Sequence, residues 1–119
     1  MRYYSTKNKS VHYPLQDAVL NSLPPDNGLF MPENIPPLPA DFFHQISNLS
    51  LAEIALHIGR AFLDKDVPDD VIEKIVRDAI NFDAPLVSLA EDTSVLELFH
   101  GPTLAFKDFG ARFMARLMA

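Results

Sequence analysis

Residues 97–109 read ELFHGPTLAFKDF, and this stretch predicts a strand, a turn and the start of a helix. An apolar run over 95–99 ends at Gly101-Pro102, a pair that cannot continue a β-ladder. Beyond that pair the apolar spacing becomes helical, and one helical face carries Phe106, Phe109, Gly110, Phe113 and Leu117. The pattern therefore places Lys107 in the first turn of a helix.

Lys107 is the candidate catalytic residue of this stretch. Apolar neighbours would strip water from its ammonium group, and the positive end of the helix would repel the charge, so both effects favour the neutral amine. A neutral lysine amine reacts with a carbonyl cofactor to form a Schiff base. The alternative, which the spacing alone favours, is a surface lysine whose charge stays in water.

The longer string ELFHGPTLAFKDFG, residues 97–110, closely resembles the pyridoxal-phosphate attachment segment of the threonine synthases. Residues 4–7, YSTK, look like part of the opening segment of that family. Residues 26–33, DNGLFMPE, are similar to its Asp-Gly-Gly-Leu-Phe-x-Pro segment, with Asn27 where many members carry glycine. The resemblance spans most of the chain, which would form only the first part of a much longer family chain.

The predicted elements give an α+β fold, mainly helical with short strands. The resemblance implies that this fold is the N-terminal part of a fold-type-II pyridoxal-phosphate enzyme of the tryptophan synthase β-like superfamily. Residues 1–94 would form a small N-terminal domain, and residues 95–119 would begin the truncated catalytic region that binds the cofactor.

The resemblance also implies an activity, that of a carbon–oxygen lyase acting on phosphates in threonine biosynthesis. The reaction converts O-phospho-L-homoserine and water into L-threonine and phosphate, with pyridoxal 5'-phosphate as cofactor. We expect residues 1–119 alone to be inactive, and the rest of the same polypeptide to be their partner.

By the same resemblance, Lys107 is the catalytic residue and carries the cofactor as a Schiff base. Three residues beside it are candidates for cofactor binding: His100, Thr103 and Asp108. Three residues near the N-terminus are candidates for binding the substrate phosphate: Ser5, Thr6 and Lys7. Each has a structural alternative, such as a turn hydroxyl, an acid at a helix start or a solvated strand end.

Two parts of a pyridoxal-phosphate site have no counterpart in the sequence. The phosphate usually lies on a glycine-rich turn at a helix N-terminus, but the four glycines here are scattered. No partner for the pyridine nitrogen is identifiable either. We expect both beyond Ala119, because the last helix reaches that residue without a stop signal.

Composition and charge exclude several other classes of function. A net charge of -6 disfavours nucleic acid as a partner, because phosphate backbones attract positive surfaces. The chain has no cysteine, and its four histidines lack paired ligand spacing, so we expect no metal site. No apolar stretch approaches the roughly 18 to 20 residues of a membrane span, and no signal peptide is evident. A cytoplasmic protein is expected.

Two alternative functions remain open at this stage. The first is a threonine-synthase-like phospholyase that acts on a related phosphorylated amino acid. The second is a non-catalytic helical interaction module in which Lys107 has no chemical role. The long match to the lysine motif argues against the module, whereas the missing phosphate cradle argues for it.

Local signals predict the remaining elements. They are a strand over 2–6, a turn over 7–10, a helix from Pro14, a buried strand over 29–31, a short helix capped by Asp41, a helix over 51–63 with a Ser50–Glu53 capping box, a helix from Pro68, and a hairpin of strands 85–89 and 95–99.

Overall fold

The computed structural model describes residues 1–63 and 65–119. These residues form five α-helices and five short β-strands, with a 3-10 turn at Ile46–Asn48. The strands are β1 Arg2–Ser5, β2 Asn8–Pro14, β3 Phe30–Pro32, β4 Leu86–Ala90 and β5 Thr93–Leu96. The helices are α1 Leu15–Asn21, α2 Ala40–Gln45, α3 Leu51–Leu63, α4 Asp69–Ala79 and α5 Lys107–Leu117. The predicted mixture of helices with short strands is confirmed.

β1 is the central strand of a three-stranded antiparallel sheet with the order β2-β1-β3. The predicted turn over 7–10 is wrong, because the chain reverses within residues 6–7 and pairing resumes between Ser5 and Asn8. Residues 8–10 therefore belong to β2. The two-residue turn holds β1 and β2 close together.

β3 confirms the predicted strand near residue 30 but not its burial. Leu29 and Met31 are 59% and 39% exposed, whereas Phe30 is half-buried with its ring edge against Tyr13. Successive side chains of a strand point to opposite faces, so Met31 lies on the face that Phe30 does not, and Leu29 precedes the strand. Only one face of β3 is covered.

The hydrophobic core lies between α1, α3 and α4. Its buried cluster consists of Leu15, Leu63, Ile72 and Val76. α1 begins directly after Pro14, close to the predicted start. α5 packs against this cluster through Phe113 and Leu117, so the helix that begins at Lys107 is anchored to the core.

The starts of α3 and α4 agree with the sequence signals. The Ser50 N–H and hydroxyl both donate to Glu53 Oε2 at 2.7 Å, and the Glu53 N–H donates to Ser50 Oγ at 3.3 Å. This is the predicted capping box, and α4 likewise starts immediately after Pro68. The prediction that Asp41 caps α2 is wrong, because Pro39 holds the cap position and Asp41 lies inside the first turn.

β4 and β5 form the predicted antiparallel hairpin. Its turn is shorter than predicted, because residues 93 and 94 already pair with β4. β5 ends at Leu96 rather than at residue 99, and the chain then leaves the ladder. The predicted domain boundary between residues 94 and 95 falls inside β5, and the division into two domains stays a prediction.

Candidate functional site

The segment 97–106 connects β5 to α5 and leads into the candidate catalytic lysine. α5 begins at Lys107, which confirms that this residue lies in the first turn of a helix. Phe113 and Leu117 lie on the core-facing side, as predicted. Phe106 is 70% exposed, and its predicted place on that face is wrong because it precedes the first helical residue.

Asp108 is the buried centre of this segment. Its side chain turns back toward Thr103, so that Oδ2 accepts the Thr103 N–H at 2.7 Å and Oδ1 accepts the Thr103 hydroxyl at 2.6 Å. The residue is only 3% exposed. The hydroxyl bond is the largest influence and lowers the pKa of Asp108, although burial acts in the opposite direction. Asp108 is therefore held as a carboxylate.

Two backbone features make room for this carboxylate. A Cβ at Gly101 would lie 2.5 Å from Asp108 Oδ2, so only glycine fits at this position. Leu104 has a φ of 56°, in the left-handed region that few bulky residues adopt, and its N–H donates to the Gly101 carbonyl at 3.0 Å. Residues 101–104 thus form a tight turn around the Asp108 carboxylate.

Lys107 projects from this turn toward solvent. Its Nζ donates to Thr103 Oγ1 at 3.0 Å and lies 3.7 Å from Asp108 Oδ1, while 66% of the side chain is exposed. The predicted apolar surroundings are wrong, since Leu104 and Phe106 are themselves 74% and 70% exposed. The inside of the turn holds the Asp108 carboxylate instead of an apolar side chain. The amine is accessible and anchored at one point.

His100 lies in the same segment but makes different contacts. Its Nε2 is 2.6 Å from Glu97 Oε2, and its ring stacks on Phe99 with centroids 4.7 Å apart. The side chain is exposed. The structure brings Thr103, Lys107 and Asp108 together in one hydrogen-bonded group, and the cofactor role of His100 stays a prediction.

Ser5, Thr6 and Lys7 form a second group at the end of β1. Ser5 is fully buried, and its hydroxyl donates to Asp26 Oδ1 at 2.6 Å. Thr6 Oγ1 accepts the Leu29 N–H at 2.9 Å, and Lys7 Nζ donates to the Asp26 carbonyl at 3.1 Å. These bonds tie β1 to the turn before β3. The substrate role of the three residues stays a prediction, and Lys7 is the one with an exposed charge.

Asp26 organises this second group; the sequence predicts a turn at residues 26–28 but not the bond between Asp26 and Ser5. Besides the Ser5 hydroxyl it accepts the Gly28 N–H at 2.9 Å, and these two bonds lower the pKa of Asp26. The signal for such a turn was present, because an aspartate two residues before a glycine often accepts its N–H. Asn27 has a φ of 56°, a conformation that asparagine tolerates better than most residues. Asn27 can therefore adopt this turn conformation although it is not a glycine.

The described residues offer few other candidate sites. Residues 1–63 and 65–119 contain no cluster of three histidine or acidic side chains that could hold a metal ion. None of the described helices combines the length and apolar character that crossing a bilayer requires. The turn around Lys107 is the candidate site that the motif over 97–110 indicates.

Comparison with known proteins gives one family. The family model described as "Threonine synthase N terminus" matches residues 2–80. The threonine synthase of Haemophilus influenzae is 41% identical over 119 residues, which cover 100% of this chain and 28% of that protein. The threonine synthase of Escherichia coli is 36% identical over 118 residues, which cover 99% of this chain and 28% of that protein.

Solved structures show the same similarity. The crystal structure of threonine synthase from Escherichia coli matches with a TM-score of 0.91 over 99% of this chain and 28% of that one, at 36% identity. The structure of pyridoxal-phosphate-bound threonine synthase from Brucella melitensis matches with a TM-score of 0.90 over 99% of this chain and 26% of that one, at 36% identity. The chain thus spans little more than a quarter of the length of these relatives.

Proposed function

Since this chain belongs to the threonine synthase family, we propose that the protein carrying it converts O-phospho-L-homoserine and water into L-threonine and phosphate with pyridoxal 5'-phosphate. The observation that carries the proposal is the accessible amine of Lys107, held by Thr103 at the start of α5. It lies within the motif over 97–110 that resembles the cofactor-attachment segment of this family. One solved relative is itself described as bound to pyridoxal phosphate.

Lys107 and Thr103 fit an aldehyde cofactor. The amine is exposed enough to be reached, and its bond to Thr103 Oγ1 restricts where it points. When bound, pyridoxal phosphate supplies an electron sink that stabilises negative charge on the substrate carbons. Lys107 would hold the cofactor covalently through Nζ.

Lys107 would also serve as the proton carrier of the reaction. Its Nζ would take up and return protons at Cα and Cβ of the substrate. In the overall reaction, the bond between Cγ and the phosphate oxygen would break, Cβ would lose one proton and Cγ would gain one. The hydroxyl of water would bond to Cβ, and its remaining proton would leave with phosphate. The hydrogen bond to Thr103 Oγ1 would limit the directions in which Nζ points during these transfers.

Further assignments belong to the same proposal. We assign the chain to the fold-type-II enzymes of the tryptophan synthase β-like superfamily, with its catalytic region beginning at residue 95, in the cytoplasm. His100 is a candidate cofactor contact near the Lys107 turn. Lys7 suits the substrate phosphate, because its ammonium is exposed at the end of β1. The family resemblance and the exposure of these side chains support the assignments.

The direct test measures threonine and phosphate released from O-phospho-L-homoserine by the protein that carries this chain. We expect equal amounts of both products, complete loss in Lys107→Ala, and unchanged release in the control Lys74→Ala, which alters an exposed lysine on α4. Turnover of phosphothreonine without turnover of O-phospho-L-homoserine would replace the proposal with a related phospholyase.

We also propose that residues 1–119 by themselves do not catalyse the reaction. The support is their length, since they correspond to 28% of the Escherichia coli enzyme. The purified chain, given cofactor and substrate, should release no more phosphate than its Lys107→Ala variant. Equal release of threonine and phosphate above that background would contradict this expectation.

A further inference from the structure

The turn before α5 contains a buried carboxylate that the proposed chemistry does not use. We propose that Asp108 is a positioning residue, whose carboxylate holds the Thr103 hydroxyl and through it fixes Nζ of Lys107. The inference rests on the proposed role of Lys107 and adds to it the residues that determine where its amine points.

The hydrogen bonds in this group can run in only one direction. A carboxylate accepts and cannot donate, so the single hydroxyl proton of Thr103 is committed to Asp108 Oδ1 at 2.6 Å. Thr103 Oγ1 can then only accept from its other neighbour, which is Lys107 Nζ at 3.0 Å. The result is a pair of hydrogen bonds in series, in which the amine donates to the hydroxyl and the hydroxyl donates to the carboxylate.

Asp108 also fixes the position of Thr103 as a whole. Its second oxygen accepts the Thr103 N–H at 2.7 Å, so one carboxylate holds both the backbone and the side chain of that residue. Hydrogen bonds to a buried charged group are stronger than those between neutral groups or in water. Gly101 leaves space for this carboxylate, because a Cβ there would lie 2.5 Å from Asp108 Oδ2.

This geometry favours an indirect role over direct contact with a ligand. The Asp108 side chain is only 4% exposed, and both of its oxygens are engaged by Thr103. The Lys107 side chain, in contrast, is 66% exposed and would sample many rotamers without an anchor. Lys107 Nζ lies 3.7 Å from Asp108 Oδ1, beyond hydrogen-bond distance, and 3.0 Å from Thr103 Oγ1. Asp108 therefore attracts the amine by its charge and fixes its position through Thr103.

Nuclear magnetic resonance of the lysine Nζ groups tests the inference without any cofactor. In the 119-residue chain, the order parameter of the Lys107 Nζ group should be higher than that of Lys74, an exposed lysine on α4. Thr103→Ser keeps the hydroxyl and should preserve this order, whereas the similarly shaped Thr103→Val should lower it to the level of Lys74. Both variants leave every charge in place.

Two further variants disturb Asp108 itself. Asp108→Asn removes the negative charge. Gly101→Ala displaces the carboxylate while Thr103, Lys107 and Asp108 themselves stay unchanged. Both should reduce the order of Lys107 Nζ. Asp70→Asn is the matched control, because Asp70 is exposed and is the second residue of α4 as Asp108 is of α5. Melting temperatures of all variants identify those that stay folded. If Asp108→Asn does not stay folded, the comparison of Thr103→Ser with Thr103→Val still tests the inference.

A second readout is chemical. The protein that carries this chain is treated with pyridoxal phosphate and reduced with borohydride, and the label on Lys107 is compared with that on Lys74 by peptide mapping. The ratio of label on Lys107 to label on Lys74 should fall about tenfold in folded Thr103→Val, as expected for the loss of one hydrogen bond. In Thr103→Ser the same ratio should stay near the wild-type value.

Equal order and equal labelling of Lys107 in folded Thr103→Ser and Thr103→Val would overturn the inference. If Lys107 is ordered by Thr103 but is labelled no faster than Lys74 in the protein that carries this chain, the positioning role is upheld and the result counts against the proposed function. The two claims can therefore fail separately.

Discussion

Two aspartates organise turns in this chain in the same way. Asp26 accepts the Ser5 hydroxyl together with a backbone N–H, and Asp108 does the same with the hydroxyl and N–H of Thr103. Both pairs pack against a glycine at which a Cβ would collide with the polar group. A hydroxyl, a carboxylate and a glycine thus form a compact unit that holds a turn, once at the end of β1 and once before α5.

Gly28→Ala tests this unit at the end of β1. The new Cβ would overlap Ser5 Oγ, which is buried and bonded to Asp26, so neither side can yield easily. We expect a loss of about 1 to 3 kcal/mol in the free energy of unfolding, measured by urea denaturation. Gly110→Ala is the control, because nothing lies within 4 Å of its Cβ and alanine favours the middle of a helix by roughly 0.5 to 1 kcal/mol. Equal effects at the two positions would contradict the role of the Ser5–Asp26 pair.

The lowered pKa of Asp108 predicts a pH dependence of stability. In the folded chain this carboxylate binds its proton less readily than in the unfolded chain, so its contribution is complete above the ordinary aspartate pKa of about 4. The contribution is lost as the pH falls through the lower folded pKa. Asp108→Asn should therefore lower the free energy of unfolding at pH 6, with a difference from wild type that shrinks below about pH 4. A difference that stays constant from pH 6 to pH 3 would speak against this assignment, and Asp70→Asn serves as the control.

At the scale of whole elements, the capping box determines where α3 begins. Ser50→Ala removes the hydroxyl that bonds both the carboxylate and the backbone N–H of Glu53. The loss should lower the free energy of unfolding by about 1 kcal/mol. Ser47→Ala changes an exposed serine in the preceding 3-10 turn and should stay within about 0.5 kcal/mol of wild type. The urea midpoints of the two variants make the comparison, and matching midpoints would contradict the cap.

Packing between α3, α4 and α5 holds the helix that starts at Lys107. Ile72 on α4 is 0% exposed within the core cluster, so Ile72→Ala should cost about 2 to 5 kcal/mol in the free energy of unfolding. The neighbouring Val71 is 40% exposed, and Val71→Ala should cost less than about 1 kcal/mol. Thermal melts followed by circular dichroism measure both changes. A similar cost for the two variants would mean that the core lies elsewhere.

For the whole molecule, the uncovered apolar surface of the β4–β5 hairpin predicts self-association. Leu86 pairs with Leu96 on one face and Val87 with Val95 on the other, and all four side chains are exposed. Large apolar patches are rare on the surface of monomeric proteins. The sedimentation mass of the 119-residue chain should rise with concentration toward that of a dimer, and less so in a Leu86→Ser, Leu96→Ser double variant. A mass independent of concentration would contradict this.

The sequence predicted features that depend on near neighbours. The helical spacing placed Lys107 at a helix start, and Ser50 with Glu53 marked the start of α3, because both patterns act within one or two turns. The Ser5–Asp26 bond joins residues 21 positions apart and has no local pattern. The burial of Asp108 was missed for another reason, since an acid in the first turn of a helix is ordinarily solvated beside the helix dipole. Its inward orientation depends on the turn that Gly101 and Thr103 create.

The most direct test of the account asks which residue carries the cofactor in the protein that contains this chain. Reduction with borohydride fixes pyridoxal phosphate to the nitrogen that holds it, and peptide mapping then identifies the residue. We predict one pyridoxyl group per chain, located on Lys107, and none in Lys107→Ala. A pyridoxyl group on another lysine, or full release of threonine and phosphate by Lys107→Ala, would contradict the assignment of this residue as the catalytic centre.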